Sequence, residues 1–285
     1  MKKGVIHSVG IVGSGTMGAG IAQVCAMAGY KVLLYDLKQE ILGKAIQTIE
    51  NNLNKGIERG KITEETKSDT LDKISVTTEL DSLMADLIIE AAIENLEIKQ
   101  TIFTELEKIN KDATILSTNT SSIPVTRIGS ALENKGRFIG IHFFNPAHLM
   151  KLVEVIPGAD TDPLVLDKVI EFVKSLGKQP VVARDAPGFI VNRVARHFYV
   201  ESLKTVEDGV ADFETVDRLL ENVGFKMGPF RLMDLIGVDT NFSVTKSMFE
   251  SFHYDSKFRP SRIQEQKVDA GHFGRKSGKG FYTYD

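Results

Sequence analysis

Along its first two thirds the chain alternates short, nearly continuous runs of aliphatic and β-branched residues with longer stretches whose apolar residues recur every three or four positions. Runs of the first kind read as buried strands and stretches of the second kind as amphipathic helices. The strand pattern falls at 5–12, 31–35, 74–77, 86–92, 113–117, 137–142, the run around Glu154, and 179–184. The helical pattern is carried after the first strand by Ile21, Val24, Cys25 and Ala28. It continues through 39–59 (Ile41, Leu42, Ala45, Ile49, Leu53, Ile57), 96–109 and 163–176, and the polar stretch 64–83 is expected to hold a further helix beside the short strand 74–77. Strands alternating with helices predict an α/β fold with a Rossmann-like, doubly wound, mainly parallel sheet.

The pattern changes at Asp185-Ala186-Pro187-Gly188. Beyond it 189–206, 213–223, 231–235, 238–252 and 262–270 are helical in period, with no convincing strand, so an all-α C-terminal domain is expected. The expected domains are 1–186 and 187–285. A length of 285 residues is long for a single core and agrees with two.

Composition narrows the function. A formal net charge of -3 provides no basic field for a nucleic acid or an anionic membrane. The single cysteine, Cys25, excludes an intrachain disulfide framework and a cysteine-cluster metal site. Its apolar neighbours predict a packed thiol, and a reducing cytoplasm is the expected location. The histidines show no metal-ligand spacing, so no metal is expected. No apolar run approaches the ~20 residues that span a bilayer. Met1-Lys2-Lys3-Gly4 leads directly into the first strand without a signal-type region.

The chemistry-bearing residues are spaced accordingly. The first strand runs into Gly13-Ser14-Gly15-Thr16-Met17-Gly18, and the second ends in Asp36. In a strand, glycine turn and helix, Gly13 permits the turn, Gly15 admits a pyrophosphate and Gly18 lets the helix pack closely. Asp36 stands where a carboxylate receives ribose hydroxyls and repels a 2′-phosphate, which favours NAD over NADP. The 39–59 helix ends in Lys55 and Arg59, followed by Lys61: a solvated terminus, or a clamp for a phosphate-bearing substrate tail. Glu94 and Lys99 follow another strand, either as an ordinary surface pair or at the ligand-binding edge of the sheet. The loop Thr118-Asn119-Thr120-Ser121-Ser122 either caps the helix begun by Pro124 or contacts a ligand through Asn119 and Ser121. His142 ends one strand, and Glu154 lies within the next. If the two strands are neighbours, the carboxylate holds one ring nitrogen protonated and leaves the other as an oriented general base.

Taken in order, Gly13-x-Gly15-Thr-Met-Gly18, Asn119-Thr-Ser-Ser, His142-Phe-Phe-Asn-Pro, Met150-Lys-Leu-Val-Glu154-Val, Ala186-Pro-Gly-Phe-Ile-Val-Asn192-Arg and Gly274-Arg-Lys-Ser-Gly-Lys-Gly-Phe-Tyr closely resemble the L-3-hydroxyacyl-CoA dehydrogenases, in particular the bacterial stand-alone 3-hydroxybutyryl-CoA type. The resemblance spans essentially the whole chain. It implies NAD-dependent oxidation of a short-chain (S)-3-hydroxyacyl-CoA, with His142 as base and Glu154 orienting it. It implies contact of Ser121 and Asn192 with the reacting part of the thioester, and it places Asn145 near the nicotinamide. Asp36, Glu94, Lys99, Asn119 and Lys276 match positions bordering the cofactor. A homodimer formed through the helical domain is also implied. Residues 192–201 and 234–241 resemble instead the 3-hydroxyadipyl-CoA homologues of phenylacetate catabolism. There Arg196 is a candidate partner for a terminal carboxylate; the alternative is an exposed helical arginine paired with Glu201. Oxidation of a free hydroxy acid and a non-catalytic NAD-binding structural role are the competing functions.

Overall fold

The computed structural model describes residues 6–284, so what was expected of Met1-Lys2-Lys3-Gly4 and of Val5 lies outside the described residues. The chain forms two compact units, Met1–Ala186 and Pro187–Asp285.

In the first unit the elements run β1 (Ser8–Val12), α1 (Thr16–Met27), β2 (Lys31–Tyr35), α2 (Gln39–Glu58), α3 (Glu64–Asp72), β3 (Ile74–Thr77), β4 (Leu87–Glu90), α4 (Leu96–Ile109), β5 (Ile115–Thr118), α5 (Val125–Gly129), β6 (Phe138–Phe143), β7 (Leu152–Pro157), α6 (Pro163–Ser175) and β8 (Gln179–Val182). They build one eight-stranded sheet in the order β3-β2-β1-β4-β5-β6-β7-β8. Every neighbouring pair is parallel except β6 and β7, which run antiparallel. Helices cover both faces of such a sheet, which is why its central strands are apolar at nearly every position rather than at every second one. Ile11, Leu34, Ile89, Ile141 and Val155 are fully buried and pack with Ile21, Leu42, Ile49 and Val173 from the helices. Each such side chain contributes about 1.5–3 kcal/mol by leaving water. The chain order reverses between β1 and β4. The carboxyl ends of strands at such a switch point are where ligands of open α/β sheets bind.

One local expectation is corrected. The hydroxyls of 118–122 do not cap α5. Its first amides, those of Val125 and Thr126, donate instead to the two carboxylate oxygens of Asp185, each at 2.7 Å. A full carboxylate from a distant segment satisfies both orphan amides at once and favours the positive end of the helix.

The second unit contains α7 (Val191–Glu207), α8 (Phe213–Asn222), α9 (Pro229–Ile236), α10 (Val238–Ser251) and α11 (Arg262–Asp269). Tyr199, Leu203, Phe230, Met233, Val238 and Phe281 form its core. Two buried aspartates fix its ends. Asp217 accepts from the Phe230 and Arg231 amides at the start of α9 and from the Tyr282 hydroxyl. Asp234 accepts from the amides of Phe281 and Tyr282 and from the Tyr284 hydroxyl. The glycine-rich basic segment is therefore tied down at its end. A Cβ at Gly280 would sit 2.0 Å from Asp234 Oδ1, so only glycine fits there. Among the described residues no helix is long and apolar enough to cross a membrane.

Candidate active site

The glycine loop joins β1 to α1, and its three glycines answer three separate demands. Gly13 has φ +92°, and a Cβ there would lie 2.8 Å from Ala91 O. At Gly18 a Cβ would lie 1.8 Å from Gly13 O, so the helix can approach the loop only without a side chain. Around Gly15 nothing lies within 4 Å of the same position. That space is open, and it lies at the start of α1, whose first amides have no side-chain cap. Uncapped amides at a helix start, with the backbone unshielded, suit a pyrophosphate. Thr16 is exposed and Met17 half-buried in the same first turn. Asp36, at the end of β2, accepts through Oδ2 from the amide and hydroxyl of Ser14, at 2.8 and 2.9 Å. The carboxylate thereby fixes the loop through Oδ2, and Oδ1 takes part in neither bond. Sequence reasoning missed Ser14, whose partner lies twenty-two positions away.

The antiparallel pairing of β6 and β7 sets His142 directly opposite Glu154. His142 Nδ1 lies 2.7 Å from Glu154 Oε2, and both residues are buried, at 5 % and 1 % exposure. The ring also packs against Phe144, with centroids 4.5 Å apart. A carboxylate on Nδ1 fixes the tautomer, so that Nε2 carries the lone pair in a set direction. Asn119 holds the end of the same strand, accepting from the Phe143 amide through Oδ1 at 2.8 Å. Asn145 follows, exposed, at a cis peptide bond to Pro146.

Glu94 and Lys99 are not an ordinary surface pair: Glu94 is exposed, but the Lys99 ammonium that it meets is buried. Lys99 is 1 % exposed and meets Glu90 at 2.6 Å and Glu94 at 3.3 Å. Glu90, at 0 % exposure, also accepts from the Thr118 hydroxyl. It too was missed, because within an apolar strand run one carboxylate gives no signal of its buried partner. Glu94 Oε1 collects the Thr120 hydroxyl, the amides of Ser121 and Ser122, and the Ser122 hydroxyl. Burial by itself would raise the Glu94 carboxyl, but the Lys99 ammonium and these donors bring it below the usual range. The charged pair thus shapes the loop that presents Ser121.

Lys55 and Arg59 come together with Gln23, Asn52, Lys61 and His148 around a cavity of about 450 Å³. His148 titrates below an ordinary histidine, first through burial and then through Lys178 and Lys55. The cavity is therefore cationic without a histidine charge. His148 escaped sequence reasoning because nothing in its spacing links it to α2.

In the second unit Asn192 is half-buried in the first turn of α7. Lys276 donates to Asp239 Oδ2 at 2.7 Å. Arg196 is corrected: it is 2 % exposed, and Glu201 pairs with Lys204 instead. A group of histidine, cysteine, aspartate or glutamate able to hold a metal is absent among the described residues.

The arrangement has known counterparts. The family model described as 3-hydroxyacyl-CoA dehydrogenase, NAD binding domain, matches residues 8–186, and that of the C-terminal domain matches residues 188–284. A 3-hydroxyadipyl-CoA dehydrogenase of Escherichia coli is 47 % identical; the match covers 98 % of this chain but only 59 % of that relative. A 3-hydroxybutyryl-CoA dehydrogenase of Bradyrhizobium diazoefficiens is 42 % identical over 98 % of this chain and 96 % of the relative. The crystal structure of (S)-3-hydroxybutyryl-CoA dehydrogenase from Ralstonia eutropha superposes with a TM-score of 0.93 at 37 % identity, covering 99 % of this chain and 100 % of that one. With an NAD-binding unit first and the family's helical unit after it, the chain belongs to the 3-hydroxyacyl-CoA dehydrogenase family.

Proposed function

We propose that the protein interconverts a short-chain (S)-3-hydroxyacyl-CoA and the corresponding 3-oxoacyl-CoA with NAD. The observation that carries the reading is the 2.7 Å contact between His142 Nδ1 and Glu154 Oε2 inside an NAD-binding unit. NAD, when bound, supplies the hydride acceptor. His142 Nε2 takes the proton from the 3-hydroxyl as that carbon is oxidised, and Glu154 holds the ring and supports the imidazolium that results. In reduction His142 returns the proton.

The open side of Gly15, the uncapped start of α1 and the unshared oxygen of Asp36 support the phosphates and the ribose. Ser121, on the loop shaped by Glu94, and Asn192, on α7, contact the acyl thioester in this reading. Asn119, Asn145 and Lys276 border the cofactor, and Lys99 acts from beneath through Glu94. Lys55 and Arg59 hold the CoA phosphates in the cationic cavity. Exposed apolar side chains on the helical unit, Leu219 (57 %), Val223 (74 %) and Phe225 (50 %), support a homodimer formed through it. A single cysteine, which leaves no disulfide to form within the chain, suits a reducing cytoplasm.

The test is NADH oxidation by the purified protein with acetoacetyl-CoA and with 3-oxoadipyl-CoA. Turnover of either is expected. Turnover of free acetoacetate at the same rate would instead favour a hydroxy-acid dehydrogenase, and NADH binding without any turnover would favour a structural role. A second reading of the acyl group, 3-hydroxyadipyl-CoA, is favoured by the name of the 47 % identical relative.

A further inference from the structure

Three lysine or arginine side chains are buried among the described residues: Lys99, Arg137 and Arg196. Two of them meet carboxylates, Lys99 at Glu90 and Glu94, and Arg137 at Glu107, 3.3 Å away. Arg196 meets none among the described residues. Its Nη1 donates to Asn241 O at 3.0 Å, Asn241 Oδ1 at 3.1 Å and Thr245 Oγ1 at 2.8 Å. Gln264 Nε2 donates to the same Asn241 Oδ1 at 2.9 Å, which fixes the amide oxygen toward the guanidinium. The opposite edge is unanswered: Nε is buried and has no hydrogen-bond partner. The Tyr199 ring lies 5.2 Å from the guanidinium carbon.

A buried cation facing only neutral groups is costly, and a fold ordinarily offsets it with an anion. Here burial lowers the Arg196 guanidinium to about 10, with Tyr199 opposing, so the side chain remains a cation at neutral pH. Neutral oxygens clamp one nitrogen, and the Nε side of a fork suited to a carboxylate is left without a partner.

We propose that Arg196 receives the terminal carboxylate of an ω-carboxyl 3-hydroxyacyl-CoA, held ready for it by Asn241, Thr245 and Gln264, and so selects dicarboxylyl over plain alkyl thioesters. The assignment rests on the dehydrogenase reading given above. Asn192 and Arg196 are four positions apart on α7 and so share a face, about 6 Å from each other along the helix. A carboxylate three carbon–carbon bonds beyond the carbinol carbon suits that separation if Asn192 meets the reacting end. The two stretches that resemble the hydroxyadipyl homologues, 192–201 and 234–241, are joined in the structure by the Arg196–Asn241 bonds. A purely structural role, tying α7 to α10, is the competing account.

The two accounts separate in a selectivity measurement. kcat/KM for NADH oxidation is compared between 3-oxoadipyl-CoA and acetoacetyl-CoA for the wild type, Arg196→Met and Arg196→Lys, with thermal melting of each. The wild type is expected to prefer 3-oxoadipyl-CoA. Arg196→Met is expected to reduce that ratio about 10- to 100-fold, the loss of one charge-assisted hydrogen bond. Arg196→Lys should restore part of it. A ratio unchanged while both rates and the melting temperature fall would show a structural role and overturn the proposal. If Arg196→Met does not fold, the wild-type ratio decides, and a preference for acetoacetyl-CoA overturns the assignment. Wild-type protein that turns over neither thioester overturns the dehydrogenase reading and this assignment together.

Discussion

Glu154 in the α/β unit and Arg196 in the helical unit are both buried charged side chains on regular elements, and they are answered differently. Glu154 finds its partner on the neighbouring strand: His142 Nδ1 is 2.7 Å away. Among the described residues Arg196 finds amide and hydroxyl oxygens but no anion, and its Nε stays unsatisfied. Where the protein supplies the partner, the pair is complete and serves orientation. Where it does not, the free energy of the missing contact remains available to a ligand. The same contrast between filled and open positions recurs in the glycine loop, where the Cβ space at Gly18 is taken by Gly13 O and that at Gly15 is empty.

The strongest break in this comparison is at the completed pair. His142→Ala is expected to lower kcat by about two to four orders of magnitude, the usual worth of a positioned proton carrier, with NADH affinity by fluorescence titration nearly unchanged. Wild-type turnover in that variant would reject His142 as the base. Next come the glycines. Gly18→Ala should destabilise the protein by about 1–3 kcal/mol as the loop is pushed aside. Gly15→Ala should leave the melting temperature near the wild-type value while NADH affinity falls. Equal melting shifts in the two variants would dissolve the distinction between filled and open space. The smallest effect concerns pH. The Glu94 carboxyl titrates below its unfolded value, so below that value the unfolded chain binds more protons and stability falls. Its contribution is complete above about pH 5 and is lost as the pH drops through the lower folded value. Glu94→Gln should flatten that part of a melting-temperature profile; an unchanged slope would remove Glu94 as its source.

Most of the fold was legible because its strands and helices differ in period and because the strand runs are short. Lys31–Tyr35, Ile74–Thr77 and Leu96–Ile109 follow directly from the pattern. The strand and glycine loop that cradle a dinucleotide were legible for a related reason, since all their parts lie within one local unit. What stayed hidden depends on partners far along the chain. Asp185 and Val125 are separated by 60 positions and Arg196 and Asn241 by 45, and no periodicity links either pair. Arg196 in addition reads as exposed, because arginines in amphipathic helices are seldom fully buried. The Glu90–Lys99 pair, only nine apart, was obscured in the same way: a lone carboxylate at the end of an apolar run gives no sign of its depth.

The antiparallel register of β6 and β7 also limits how the chain between them can change. His142 and Glu154 share one face of the sheet because they are directly paired, and side chains of a strand alternate between faces. An insertion or deletion in 144–151 that leaves the pairing in place costs only loop entropy, which grows slowly with length. One that moves the pairing by a single position turns Glu154 to the opposite face and separates it from the imidazole. Variation in this segment is therefore quantised: loop length can drift among descendants of this sequence, whereas the strand alignment is inherited whole or the dyad is lost.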